Sequence, residues 1–142
     1  MEHVEGCLAC DLTAGRTELP GGCFYGTDWW VVEHCIGPHP LGTLILKPRR
    51  HCLHIWDLND EEAAQLGPVM RRVTGAIPQL VEADQVYCFL WSHMNGLPGH
   101  IHYVLQPARN IDWGKDIQHQ HPGAAAVEAL APRARAVLAG GA

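Results

Sequence analysis

The sequence has no apolar run approaching the ~20 residues that cross a bilayer. Its opening residues, Met1-Glu2-His3-Val4-Glu5, are not a basic region followed by an apolar stretch. From these two absences we expect a soluble, cytoplasmic protein with no membrane partner. Positive charge is also scarce: ten Lys and Arg stand against fifteen Asp and Glu, for a formal net charge of −5. A general nucleic-acid binder needs a basic face to neutralise phosphates, so nucleic acid is not an expected partner. A small phosphorylated ligand held by backbone amides and a few cations stays open. Charged residues are only 18% of the chain and apolar residues 47%, which excludes a disordered tail or a coiled coil. The 142 residues fit one domain by the prior of roughly one per 150 residues. They are enough for a core without disulfide staples.

Histidine, in contrast, is abundant. There are ten, as many as Lys and Arg together, beside six cysteines. Histidine ligates metals, moves protons and captures phosphoryl groups near neutral pH. Among the cysteines only Cys7 and Cys10 are close, as Cys7-Leu8-Ala9-Cys10. Such a pair reads as half a zinc site, a redox pair or a chance neighbourhood. A thioredoxin-like redox pair follows a strand and opens a helix within a βαβ unit, and that context is missing here. Zinc needs two further ligands from elsewhere. Cys23, Cys35, Cys52 and Cys88 lie in or beside apolar runs and read as small buried hydrophobes.

Strands are predicted at Trp29–His34, Gly42–Lys47, Gln85–Trp91 and His100–Gln106, with a short strand and turn at Phe24–Asp28. Asn59-Asp60-Glu61-Glu62 is a helix start, with Asn59 as cap and Glu62 reaching back. Leu66, Val69, Val73, Ile77 and Leu80 then recur at spacings of three and four, which marks one apolar helix face. Pro68 is expected to kink this helix. Residues 123–139 are Ala-rich and read as a C-terminal helix interrupted near Pro132. Strands outnumber helices and their connections are short, which predicts an α+β domain with an antiparallel sheet and helices on one side. Trp29, Trp30 and Trp91 fill the core or line an aromatic pocket, with core filling favoured for at least two of them.

The last predicted strand puts His100 and His102 on one face, with Val104 and Gln106 beyond them, and Ile101, Tyr103 and Leu105 on the other. Alone, His-x-His is as well explained by ordinary strand histidines. Its place behind a Gly/Pro loop improves the functional case, because loop–strand junctions carry sites. His93, in that loop, is a further candidate imidazole.

At this point the sequence resembles the histidine triad superfamily. The match is carried by Pro98-Gly99-His100-Ile101-His102-Tyr103-Val104-Leu105-Gln106-Pro107-Ala108-Arg109. It is supported by Gly42-Thr43-Leu44-Ile45-Leu46-Lys47-Pro48-Arg49-Arg50-His51, by the helix start after Leu58 and by the N-terminal Cys-x-x-Cys. The resemblance covers residues 7 to about 109.

It implies an α+β histidine-triad-like fold over residues 1–115, with an antiparallel sheet of about five strands flanked by helices, and a helical tail over 116–142. It implies a homodimer and a nucleotide or nucleotide-like phosphorylated small molecule as partner. The activity it implies is hydrolysis or nucleotidyl transfer at the α-phosphate of a phosphoanhydride or phosphoramidate, with His102 as the nucleophile that becomes nucleotidylated. Asn95, Gly99 and Gln106 are the substrate-side residues. In zinc-carrying relatives the two cysteines are joined by two histidines, which map here onto Cys7, Cys10, His51 and His100, a closed structural Zn2+ site. His51 otherwise reads as a surface residue in a basic turn. The third triad position, usually histidine, is Val104. That departure motivates one alternative, a nucleotide-binding protein with impaired catalysis; a second alternative is a pathway-specific enzyme with a non-standard substrate, whose aromatic pocket Trp29, Trp30 and Trp91 would line.

Overall fold

β-branched and aromatic runs form the predicted strands. In the computed structural model, which describes residues 3–94, 96–117 and 119–140, the strands are β1 (Cys23–Gly26), β2 (Trp30–His34), β3 (Leu44–Pro48), β4 (Gln85–Met94) and β5 (Leu97–Ala108). They make one sheet in the order β1-β2-β3-β5-β4, every neighbouring pair antiparallel. The helices are α1 (Leu8–Ala14), α2 (Asp60–Leu80) and α3 (Ala124–Gly140). The fold is α+β, as the element pattern predicts.

Alternation along the strands sorts the two faces. Trp30 and Val32 of β2, Leu44 and Leu46 of β3 and Leu105 of β5 are buried against Val69, Val73, Ala76, Ile77 and Leu80 of α2. Burying such side chains contributes about 1.5–3 kcal/mol each. α2 begins as its sequence dictates: Asn59 Oδ1 accepts from the Glu62 amide at 2.8 Å, and Glu62 Oε2 accepts from the Asn59 amide at 3.3 Å. Glu62 is buried because Arg50 Nε donates to its Oε1 at 2.9 Å, while its carbonyl accepts from Trp30 Nε1 at 3.0 Å. The segment after β3 is thereby fastened to the start of α2.

Two expectations need correcting. α3 runs uninterrupted through Pro132, and α2 extends through Pro68 and Pro78. In α3 core packing on both sides of the proline outweighs the lost amide bond, with Ala131 and Ala134 flanking Pro132 in the core. Val127, Ala131, Ala134 and Leu138 of α3 belong to the same core as α2. Of the four cysteines read as buried hydrophobes only Cys52 is buried; Cys35 is half-buried, and Cys23 and Cys88 are exposed, on the outer strands β1 and β4. No helix among the described residues is long and apolar enough to cross a membrane.

The turn between β2 and β3 is fixed by Gly42, at φ +92°, where a Cβ would lie 2.7 Å from Val81 Cγ2. Its amide donates to His34 Nε2 at 2.9 Å, and His34 Nδ1 donates to the Cys35 carbonyl at 2.7 Å. The two bonds fix the neutral tautomer of this buried ring. Burial holds its pKa below the ordinary histidine value.

Candidate metal centre and adjoining histidine

The sheet face away from α2 carries the chemistry. His100 and His102 project from it on β5, with Val104 and Gln106 following. α1 lies across it: the Lys47 ammonium on β3 donates to the Ala9 carbonyl at 2.9 Å and to Glu33 Oε1 at 2.6 Å. Both charged side chains are buried. Lys47 therefore ties the cysteine-bearing helix to the strand beside β5.

This docking brings four donors together. Cys7 and Cys10 come from α1, His51 from the segment after β3 and His100 from β5, with one donor atom of each within 4.8 Å of every other. Cys10 Sγ lies 3.4 Å from His51 Nδ1 and 3.5 Å from His100 Nδ1, and Cys7 Sγ lies 3.8 Å from His100 Nδ1. The imidazole rings meet at 88° with centroids 5.1 Å apart. Tetrahedral zinc, bonded at about 2.3 Å to sulfur and about 2.0 Å to nitrogen, has S···N edges of about 3.5 Å. The donor set and its spacing fit that ion.

The tautomer of His100 also fits. Its Nε2 lies 2.8 Å from the Pro48 carbonyl; a carbonyl only accepts, so Nε2 carries the proton and Nδ1 presents its lone pair to the sulfurs. A second ring nitrogen hydrogen-bonded in this way is the usual support for a metal-ligating histidine. Burial pushes the His100 pKa down to about 4, so the ring is neutral at physiological pH. Burial pushes the Cys10 thiol up. A cation binding here would therefore displace a thiol proton.

His102 stands next along the strand. Its Nδ1 lies 3.1 Å from the His100 carbonyl, which makes Nδ1 the protonated nitrogen and leaves the lone pair on Nε2. The ring is half-buried, and burial lowers its pKa, with the Lys47 charge adding to the effect. A neutral imidazole held at one nitrogen, with no partner for the other among the described residues, is a nucleophile or proton acceptor at neutral pH.

The other expected residues are placed less uniformly. Gly99 immediately precedes His100 in β5. Gln106 is 1% exposed, and its Oε1 accepts from His39 Nδ1 at 2.8 Å, so it is engaged with a residue the sequence did not single out. Asn95 lies outside the described residues. His93 is exposed in the β4–β5 hairpin, paired with Pro98 beyond an irregularity in the ladder. Val104 is buried between Ile45 on β3 and Phe89 on β4, its direct partners. The sequence reading missed Lys47, whose one signal was a charge within an otherwise apolar strand; its pairing with Glu33 appears only in the sheet.

No protein-family model and no curated protein matches this sequence. Solved structures do. A zinc-bound histidine triad family protein from Mycobacterium smegmatis superposes with a TM-score of 0.73 at 21% identity, covering 95% of this chain and 94% of that one. A hypothetical histidine triad nucleotide-binding protein from Sulfolobus tokodaii gives a TM-score of 0.77 at 16% identity, over 94% and 93%. A Hit-like protein from Bartonella henselae, described as involved in cell-cycle regulation and holding an unknown ligand, gives 0.74 at 14%, over 95% and 98%. The chain has the histidine triad fold, and its Cys-x-x-Cys is part of a cluster with the composition of a zinc site.

Proposed function

We propose that this protein is a nucleotide hydrolase or nucleotidyl transferase that works through His102, with Zn2+ held structurally by Cys7, Cys10, His51 and His100. The carrying observation is the state of His102: Nδ1 pinned to the His100 carbonyl, Nε2 without a hydrogen-bond partner among the described residues, the ring half-buried beside the four-donor cluster. The zinc-bound Mycobacterium smegmatis protein and the nucleotide-binding description of the Sulfolobus tokodaii protein support the two halves of this reading.

In the first step the Nε2 lone pair forms an N–P bond at the α-phosphate of a phosphoanhydride or phosphoramidate. The bond to the leaving oxygen or nitrogen breaks and takes its electron pair with it. Water or an acceptor hydroxyl then displaces the imidazole. This divides one difficult displacement into two easier ones. Backbone donors of the segment before His100, with Gly99 and Asn95 as candidates, bear the charge on the phosphate oxygens. Gln106 is a further candidate on the substrate side, its Oε1 already accepting from His39. A cation held by Cys7, Cys10, His51 and His100 would tie α1 to β5, and four protein ligands would leave it no open position for substrate. The assembly we propose is a homodimer.

Incubation with adenosine phosphoanhydrides and phosphoramidates should give a nucleotidyl adduct, read by intact mass and mapped to His102. His102→Ala should give none, and turnover surviving intact in that variant would overturn the reading. Val104 favours a second reading, a nucleotide-binding protein with impaired catalysis, because its buried site holds no third imidazole. Calorimetric binding without turnover on any substrate, with turnover gained by Val104→His, would select it.

A further inference from the structure

One aromatic ring beside His102 has no role in the chemistry described above. Trp91 is the direct cross-strand partner of His102 in the β4–β5 ladder. Directly paired residues of an antiparallel ladder project from the same face, with Cβ atoms about 4.5–5.5 Å apart. Two residues back on β4, Phe89 stands opposite Val104 and meets Trp91 edge-on, with centroids 6.1 Å apart and planes at 80°. Phe89 is backed by His39 at 6.1 Å, and His39 is held by Gln106. The indole is thus braced along the strand yet 48% exposed, whereas Trp30 in the same sheet is fully buried. On the other side of His102, Lys47 is buried and committed to Glu33 and Ala9, so it offers a ligand no surface.

We propose that Trp91 is a specificity-determining residue of the His102 site, its indole stacking on a flat aromatic ring joined to the phosphorus that His102 faces. The proposal rests on the reading of His102 as the phosphorus-directed nucleophile. It narrows the substrate class to phosphates carrying an aromatic group close to the reacting centre. Two sources supply such a ring, a nucleobase or an aromatic leaving group. The half-buried apolar neighbour Phe89 suits either, because it gives a ring edge no polar group to desolvate.

Calorimetry on the full chain with three probes tests this: AMP, ribose 5-phosphate and 4-nitrophenyl phosphate, against wild type, Trp91→Phe and Trp91→Ala. Stacking of a base on an aromatic side chain is commonly worth a factor of about ten or more on alanine substitution. Trp91→Ala should weaken AMP or 4-nitrophenyl phosphate by about tenfold, leave ribose 5-phosphate unchanged, and be largely rescued by Trp91→Phe. A loss confined to AMP assigns the ring to the base; a loss confined to 4-nitrophenyl phosphate assigns it to the leaving group. Equal weakening of all three, no change in any, or dissociation of an oligomer by Trp91→Ala in sedimentation would overturn the proposal. Absence of wild-type binding to every probe would overturn the functional reading along with it, whereas binding that ignores Trp91 would overturn this proposal alone.

Discussion

Lys47 shows how much one side chain can carry in this sheet. A buried ammonium is tolerated because Glu33 and the Ala9 carbonyl satisfy it. Glu33 in turn is left with Oε2 buried and unpartnered among the described residues, and burial holds its pKa above the ordinary carboxyl value. Removing the cation alone leaves a desolvated carboxylate, a change that commonly costs about 3–5 kcal/mol. Lys47→Met should therefore lower the unfolding free energy from urea titration by that order. Adding Glu33→Leu should recover most of the loss; a double variant no more stable than Lys47→Met would contradict the account. At this scale His51, His100 and His102 were legible because they fall in ordered motifs. His34 and His39 were not, because their partners, the Gly42 amide and the Gln106 side chain, meet them only through turns and strand pairing.

Elements were legible where periodicity was strong. The strands were predicted to within three residues at most ends, and α2 was announced by Asn59 and Glu62. α1 was missed: seven residues without a clear apolar face, ended by Gly15 at φ +76°, give little local signal. So short a helix is marginal alone, and it depends on its tether to Lys47 and on the cysteines. Stripping metal with a chelator should raise amide exchange across residues 8–14 and lower the melting temperature, and Cys10→Ser should do the same without chelator. Unchanged protection in both would refute a structural cation. The β2–β3 connection makes a separate, pH-linked prediction through His34. The unfolded ring takes up a proton near its ordinary value of about 6.5, whereas the buried ring does so only at lower pH. The unfolded state therefore binds more protons in that window, and stability falls as pH drops below about 6.5. His34→Gln should be less stable at neutral pH yet show a shallower decline between pH 7 and 5 in denaturant titrations.

At the scale of the whole molecule, the sheet has two outer strands. β1 is short and covered by α3, where Arg135 donates to the Cys23 carbonyl at 3.1 Å. β4 is ten residues long and leaves Tyr87 and Leu90 exposed. A long uncovered edge is a template for pairing with another strand. The sequence held no patch that announced this, because exposure on β4 follows from its place in the strand order and not from its composition. If two copies pair along β4, Leu90→Lys should shift sedimentation toward the monomer while leaving the unfolding midpoint of the monomer nearly unchanged. A wild-type chain that sediments as a monomer at every concentration would end the dimer proposal.

The four-donor cluster joins residues far apart in the chain, with Cys7 and His100 separated by 93 positions. It cannot be complete while the protein is still being synthesised, until the ribosome has released nearly the whole sheet. The cysteines emerge first and must wait as uncoordinated thiols until β5 arrives. A polypeptide that stalls, truncates or mispairs before His100 never assembles the cradle, so the ability to hold a cation would record whether β5 had been made and paired.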